Sequence, residues 1–238
     1  MKHLYLLMFL QFIIVACNNG KKTEKRLSTK TIEKKIDKPL IEEELIDSTQ
    51  IGVSGKYKID LKKIRSSDSV YVDIKFFERE NSKWKLKQEL HFLKDGVLSC
   101  DFKFEDFNND KLNDFTFQSS IAARGANVIR KLFIFDKTNG KLTFIKNSEE
   151  FPNLRYNKDL DCIDAFRVYG GTQSVFAKIK KDSLKEFANV ELFDERIIIK
   201  TIDINGNEKT IKNEKYKSKE SYVRFKNYSP LKEFEGEY

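Results

Sequence analysis

Val70-Tyr71-Val72-Asp73-Ile74-Lys75-Phe76 alternates apolar and polar side chains without a break. Successive side chains of an extended strand point to opposite faces, so this stretch reads as a half-buried strand with Val70, Val72, Ile74 and Phe76 inward. The same parity continues outward from it. Trp84, Leu86 and Leu90 follow in step, Leu98, Cys100, Phe102 and Phe104 make the next face, and Phe115 with Phe117 another. The interruptions are turn chemistry: Glu80-Asn81-Ser82, Lys94-Asp95-Gly96, Thr138-Asn139-Gly140 and Asn205-Gly206. Asn-Gly supplies the positive φ values that two-residue hairpins need, which makes the last two the strongest signals. Further strands are expected at 161–168, 173–181, 186–193, 196–204, 207–212 and 221–227. Ser183–Ala188 fits a short helix or a strand edge equally well. Turns at this spacing predict an all-β fold, a single antiparallel meander domain over residues 51–238, built as a barrel, a sandwich or a propeller-like array.

Composition agrees with a packed domain. The chain has 238 residues, 39% of them hydrophobic and 13% aromatic, with 20 Phe and 9 Tyr, which is ample core material. The net charge of +8 comes from 45 basic and 37 acidic residues that are interspersed, and this reads as a solvated surface. No basic stripe with interleaved aromatics marks a nucleic-acid site, so no nucleic-acid partner is expected.

The N-terminus has a different character. Lys2 and His3 precede a nearly unbroken apolar run from Leu4 to Ala16, followed by Cys17. A helix of that length reaches roughly 20 Å, short of the ~30 Å hydrocarbon core, so the run reads as a secretory signal over residues 1–16. Ile14-Val15-Ala16-Cys17 resembles the lipobox read by lipoprotein signal peptidase. That resemblance implies a diacylglycerol on the Cys17 thiol and a further acyl chain on its freed amine, hence a membrane partner through a lipid anchor. Asn18 rather than Asp after the cysteine implies the outer membrane, facing the periplasm. An ordinary signal peptide with a chance cysteine is the alternative. From Cys17 to residue 50 the chain reads as a disordered tether. Lys21 to Lys38 holds eight basic residues against three acids, Glu42-Glu43-Glu44 follows, and no aromatic offsets the cost of ordering. A short helix over Ile41–Ile46 is compatible with this.

One segment carries site chemistry. Within Glu105–Phe115, Asp106, Asn108, Asp110 and Asp114 occupy positions 1, 3, 5 and 9 of a D-x-N-x-D-x-x-x-D loop. Hard cations such as Ca²⁺ take six to eight oxygens, and alternate side chains of a tight loop supply them, with the Leu112 carbonyl at position 7. Phe107, Leu112 and Phe115 are placed to pin the loop to the core. The loop departs from an EF-hand, because position 12 is Phe117 and position 6, usually Gly, is Lys111. An Asx-rich turn that bonds only its own backbone is the competing reading. Catalytic options are few. The chain has 2 His, and beyond the leader only His91 is left for nucleophile activation. No carboxylate pair is singled out for a hydrolase mechanism, and no enzyme is expected. Cys100 and Cys162 are either a disulfide or two buried thiols on separate strands.

From Val97 to about Phe193 the chain resembles a family of calcium-containing periplasmic lipoproteins that includes lysozyme-inhibitor-type immunity proteins of bacterial killing systems. The residues that carry the resemblance are the Asp106–Phe115 loop, the hairpin Phe135-Asp136-Lys137-Thr138-Asn139-Gly140, and the stretches Phe151-Pro152-Asn153-Leu154 and Tyr169-Gly170-Gly171-Thr172. Lys111 in place of the family's Gly is a departure that bears on metal affinity. The resemblance implies a structural Ca²⁺ and a peptidoglycan hydrolase as partner, engaged by a loop with a Ser-Gly-x-Tyr motif. Ser54-Gly55-Lys56-Tyr57 matches that motif. Ser54 and Tyr57 would then bond the acidic pair of a lysozyme-like cleft, with Tyr169 and Gly170 of the glycine-rich turn as further contacts. The alternative for Ser54–Tyr57 is a strand that opens with Gly and a packed Tyr.

Overall fold

The structure, a computed structural model, describes residues 38–228 and the backbone of 231–233. The leader, Cys17 and the tether as far as residue 37 lie outside the described residues. The first sheet runs β1 (Leu40–Asp47), β2 (Tyr57–Arg65), β3 (Val70–Glu80) and β4 (Lys83–Leu93). The second contains β5 (Lys103–Glu105), β6 (Asp114–Ala122), β7 (Asn127–Asp136) and β8 (Lys141–Ile145). The third contains β9 (Arg155–Asn157), β10 (Cys162–Val168), β11 (Thr172–Lys180), β12 (Ser183–Phe193), β13 (Arg196–Ile202) and β14 (Glu208–Lys215). A two-stranded ribbon of β15 (Phe225–Tyr228) and β16 (Leu231–Glu233) follows. Within each sheet every strand pairs antiparallel with its neighbours in sequence, and none of the sheets closes into a barrel. The expected all-β meander is therefore realised as several stacked sheets.

Parity explains the stacking. In β7, Phe133 and Phe135 face one core with Tyr57, Ile59, Val72, Ile74 and Phe76 of the first sheet. Leu132 and Ile134, one residue out of phase, face a second core with Ile163, Ala165, Val175 and Leu184 of the third sheet. A strand covered on both faces loses its polar alternation, as the run Leu132-Phe133-Ile134-Phe135 shows. β11 repeats the device: Val175 and Ala177 point to the second core, Phe176 to a third with Val190, Ile199, Val223 and Phe225.

Two expectations need correction, and one left open is settled. The tether does not reach residue 50, because Leu40–Asp47 is an edge strand and not a helix. Its acidic cluster meets a basic partner strand in register. Glu44 lies 3.0 Å from Lys62, and the buried Lys63 holds Glu43 at 3.0 Å and Glu42 at 3.1 Å. Leu98–Phe104 is a strand only from Lys103. Asp101, with φ 38°, breaks the extended run, although Cys100, Phe102 and Phe104 still pack on the first core. Of the two readings open for Ser183–Ala188, the strand is the one realised, at the start of β12.

Candidate functional site

The D-x-N-x-D segment leaves β5 and enters β6 as a tight loop. The Asp106 carboxylate accepts main-chain N–H groups from Asp110 at 3.1 Å and Lys111 at 2.9 Å, and Asp110 accepts Leu112 N–H at 2.9 Å. Lys111 has φ 71°, the left-handed conformation for which Gly is usual at this position. Its ammonium donates to Asn109 Oδ1 at 2.7 Å, outside the Asp106–Asp114 set. Asp114 is different from the other loop acids. It is fully buried, and its two oxygens accept Phe107 N–H and Phe135 N–H, each at 2.8 Å. The carboxylate thus ties the loop entrance to the middle sheet's central strand. Burial, reinforced by the nearby charges of Asp110 and Asp106, outweighs those two donors and pushes its pKa up to about 7.

The donor set is one of hard oxygens, as Ca²⁺ requires. Several of those oxygens are engaged by main-chain N–H groups. Among the described residues no three His, Cys, Asp or Glu side chains are already gathered around a metal position. Asp106, Asn108 and Asp110 would have to turn from the backbone toward the ion.

The Ser54–Tyr57 motif abuts this loop. Gly52 N–H donates to Asn113 O at 3.0 Å, and its φ of 55° and a Cβ position 3.0 Å from the Phe135 ring disfavour a side chain there. Ser54 and Lys56 are exposed. Tyr57 is not: it is 3% exposed, with ring centroids 5.6 Å from Phe76 and 4.8 Å from Phe135. Its parity is that of Ile59 and Leu61, so the side chain lands in the core and not on a protruding loop. Tyr57 as a partner contact is corrected accordingly.

Tyr169 and Gly170 occupy the opposite end of the stack. Val168 exchanges hydrogen bonds of 2.8 Å with the side chain of Asn127, the first residue of β7, whereas Tyr57 packs on Phe135 near its end. The strand between them is roughly 30 Å long. The structure therefore separates the two sets of expected contact residues. Tyr169 is 45% exposed, lies beside the half-exposed Phe193 at 6.5 Å between centroids, and donates its hydroxyl to Glu191. Burial and the Glu191 carboxylate both raise its pKa. Gly171 is obligatory in this turn, since a Cβ there would stand 2.2 Å from Leu192 O. Two concave surfaces flank the turn. One, about 500 Å³, includes Gly170, Phe193 and Arg196; the other, about 670 Å³, includes Val168, Phe166, Tyr222 and Arg224.

Sequence spacing had no means of finding Phe193, Glu191 or the buried cluster beside the larger cavity. There Arg224 donates through Nε to Asp164 at 2.7 Å, Asn157 donates to the same carboxylate at 3.2 Å, and Arg155 stands 3.6 Å away. His91 bonds Asp73 at 2.6 Å on an exposed face of the first sheet. Cys100 and Cys162 are free thiols in different cores, each pushed up to about 12 by burial.

No family model and no curated protein matches this chain. Among solved structures it has a distant likeness to a Xanthomonas type IV secretion system related protein. The identity is 11% and the TM-score 0.47, over 74% of this chain and 100% of that one.

Proposed function

We propose that this chain is a lipid-anchored envelope protein that acts as a binding module, holding and inhibiting a lysozyme-like peptidoglycan hydrolase as an immunity protein does. The observation that supports it best is the Tyr169–Gly171 turn. It presents two half-exposed aromatic rings on a backbone pressed against β12, between two concave surfaces. Rigid aromatic groups of this kind act as interface anchors because little rotamer entropy is lost when they are covered. Cys17 is the proposed lipid site and the outer membrane the proposed location. Ca²⁺ is the proposed occupant of the loop, held by Asp106, Asn108, Asp110, Asp114 and the Leu112 carbonyl. Its charge would offset the cost of keeping Asp114 ionised while buried.

The test is stoichiometric inhibition. The full chain, purified in mild detergent, should slow lysis of peptidoglycan by a lysozyme-like enzyme in a saturable, near one-to-one manner. Tyr169→Ala and Phe193→Ala should each weaken inhibition by about 2 kcal/mol, roughly thirtyfold. Ser54→Ala should leave it unchanged. Absence of inhibition at micromolar protein would leave a structural lipoprotein with a stabilising Ca²⁺ loop. Release of peptidoglycan fragments by the chain itself would instead make it a carboxylate-dependent hydrolase.

A further inference from the structure

The outer face of the first sheet carries an aromatic and cationic patch that no function discussed above uses. Lys58, Phe77 and Leu86 lie in register across β2, β3 and β4, and Arg79 pairs with Trp84 one step nearer the hairpin tip. The Lys58 ammonium sits 4.3 Å from the Phe77 ring centroid and 5.1 Å from that of Trp84, with the Arg79 guanidinium 5.8 Å from Trp84. Trp84 and Leu86 remain 36% and 48% exposed. Glu78 and Glu80 are engaged on the other side of the hairpin, Glu78 by Lys87 at 2.8 Å and Lys56 at 3.4 Å, and Glu80 by Lys85 at 2.8 Å, while Asp60, two residues along β2 from Lys58, pairs across the sheet with Lys75. Among the described residues, no carboxylate lies within ion-pair distance of Lys58, Arg79 or Lys83.

We infer that this hairpin docks on the anionic headgroups of the bilayer that carries the anchor. Tryptophan and leucine beside unpaired cations match the water–lipid boundary, where an indole ring has an apolar and a polar side to satisfy and lysine or arginine meets phosphate. The patch lies beside a hairpin tip, and none of its residues lines either of the two concave surfaces described above, which suits a surface better than a small ligand. Chain length places it within reach, a point that rests on the lipid-anchor reading. Residue 40, where β1 begins, is 23 residues beyond Cys17. That many residues span at most about 80 Å however they are arranged. Geometry adds a second argument. The tip adjoins Lys56, whose carbonyl accepts Arg79 N–H at 2.8 Å, so it shares the Tyr57 end of the stack. Docking there directs the Tyr169 turn away from the membrane, toward soluble partners.

Trp84 is the only tryptophan in the chain, and its emission therefore reports on this patch alone. The full chain would be reconstituted in neutral phosphatidylcholine vesicles and in vesicles containing phosphatidylglycerol. The expected result is a blue shift, with quenching by brominated lipid, in the anionic vesicles only, and reversal in about 1 M salt where screening falls to ~3 Å. Replacing Lys58→Glu together with Arg79→Glu should lower occupancy of the headgroup region at least about tenfold. Arg79 is exposed and Lys58 partly buried, and unchanged circular dichroism would confirm that the variant is folded. Identical emission in the two vesicle types, or wild-type behaviour of the double variant, overturns the inference. A shift with heparin or polyphosphate but not with anionic vesicles also overturns it, in favour of a soluble polyanion. The mass of the purified chain separates the two readings. A lipid-free chain that still shifts on added anionic vesicles upholds the patch and refutes the anchor; a lipidated chain that does not shift refutes the patch.

Discussion

Gly140 and Tyr57 are packed so closely that their substitutions should not add. A Cβ on Gly140 would stand 2.7 Å from the Tyr57 hydroxyl oxygen, and 3.3 Å and 3.4 Å from the nearest ring carbons. Gly140 also has φ 57°, which costs a side-chain-bearing residue about 1 kcal/mol. Overpacking in a filled core costs ~1–3 kcal/mol, so Gly140→Ala should destabilise by about 2–4 kcal/mol in total. Tyr57→Phe removes the offending oxygen and gives up only a 3.4 Å bond to Glu78, a loss of about 1 kcal/mol or less. With phenylalanine at 57 the new methyl group meets only ring carbons, and the penalty at 140 should shrink by at least about 1 kcal/mol. The assay is urea unfolding of the four proteins of the cycle, followed by Trp84 emission, at constant m value. Tyr57→Ala, measured alongside, should cost about 3–5 kcal/mol because it empties the space between Phe76 and Phe135. Additivity within about 0.5 kcal/mol would refute the packing argument.

Asp114 supplies a prediction in pH. Its folded pKa of about 7 lies above the ordinary 3.8, so the folded state keeps a proton that the unfolded chain releases as pH rises. The stability of wild type relative to Asp114→Asn should therefore fall between about pH 4 and pH 7, by about 4 kcal/mol, in chelator. Ca²⁺ should restore more stability at pH 8 than at pH 5; melting curves that show the opposite order would count against the loop as its site. Asp164→Asn leaves Arg224 buried beside Arg155 without its carboxylate and should destabilise by about 3–5 kcal/mol in urea titration. Cys100 and Cys162, with thiols pushed up to about 12, should ignore maleimide at pH 8 until the chain unfolds, when two thiols beyond any contributed by Cys17 should titrate.

What the sequence disclosed follows from how local each signal is. β3 and β6 are legible because each has one face in a core, and Asn139-Gly140 and Asn205-Gly206 because both glycines adopt positive φ, at 57° and 86°. β1 was hidden by its composition. Glu42, Glu43 and Glu44 look solvated until Lys62, Lys63 and Arg65 stand opposite, about twenty positions on, and chain-local patterns hold no record of that pairing. Tyr57 is the reverse case. The motif reading treated it as an isolated contact, while its step of two with Ile59 and Leu61 already placed it inside. The Tyr169–Phe193 pair and the Arg224–Asp164 cluster join residues far apart in the chain, and only the fold brings them together.

Strand order in these sheets has a consequence for how the molecule is made. Each sheet is assembled from consecutive segments, so its hydrogen bonds close over short stretches of chain and little loop entropy is lost at each step. A polypeptide that emerges N-terminus first, from a ribosome or a membrane pore, can pair β1 to β4 before β5 has appeared. The apolar face so formed waits only for β6 and β7 to cover it, and theirs only for β10 and β11. Assembly can then proceed as a relay, in which the exposed surface at any moment is one sheet face rather than a whole unfolded domain.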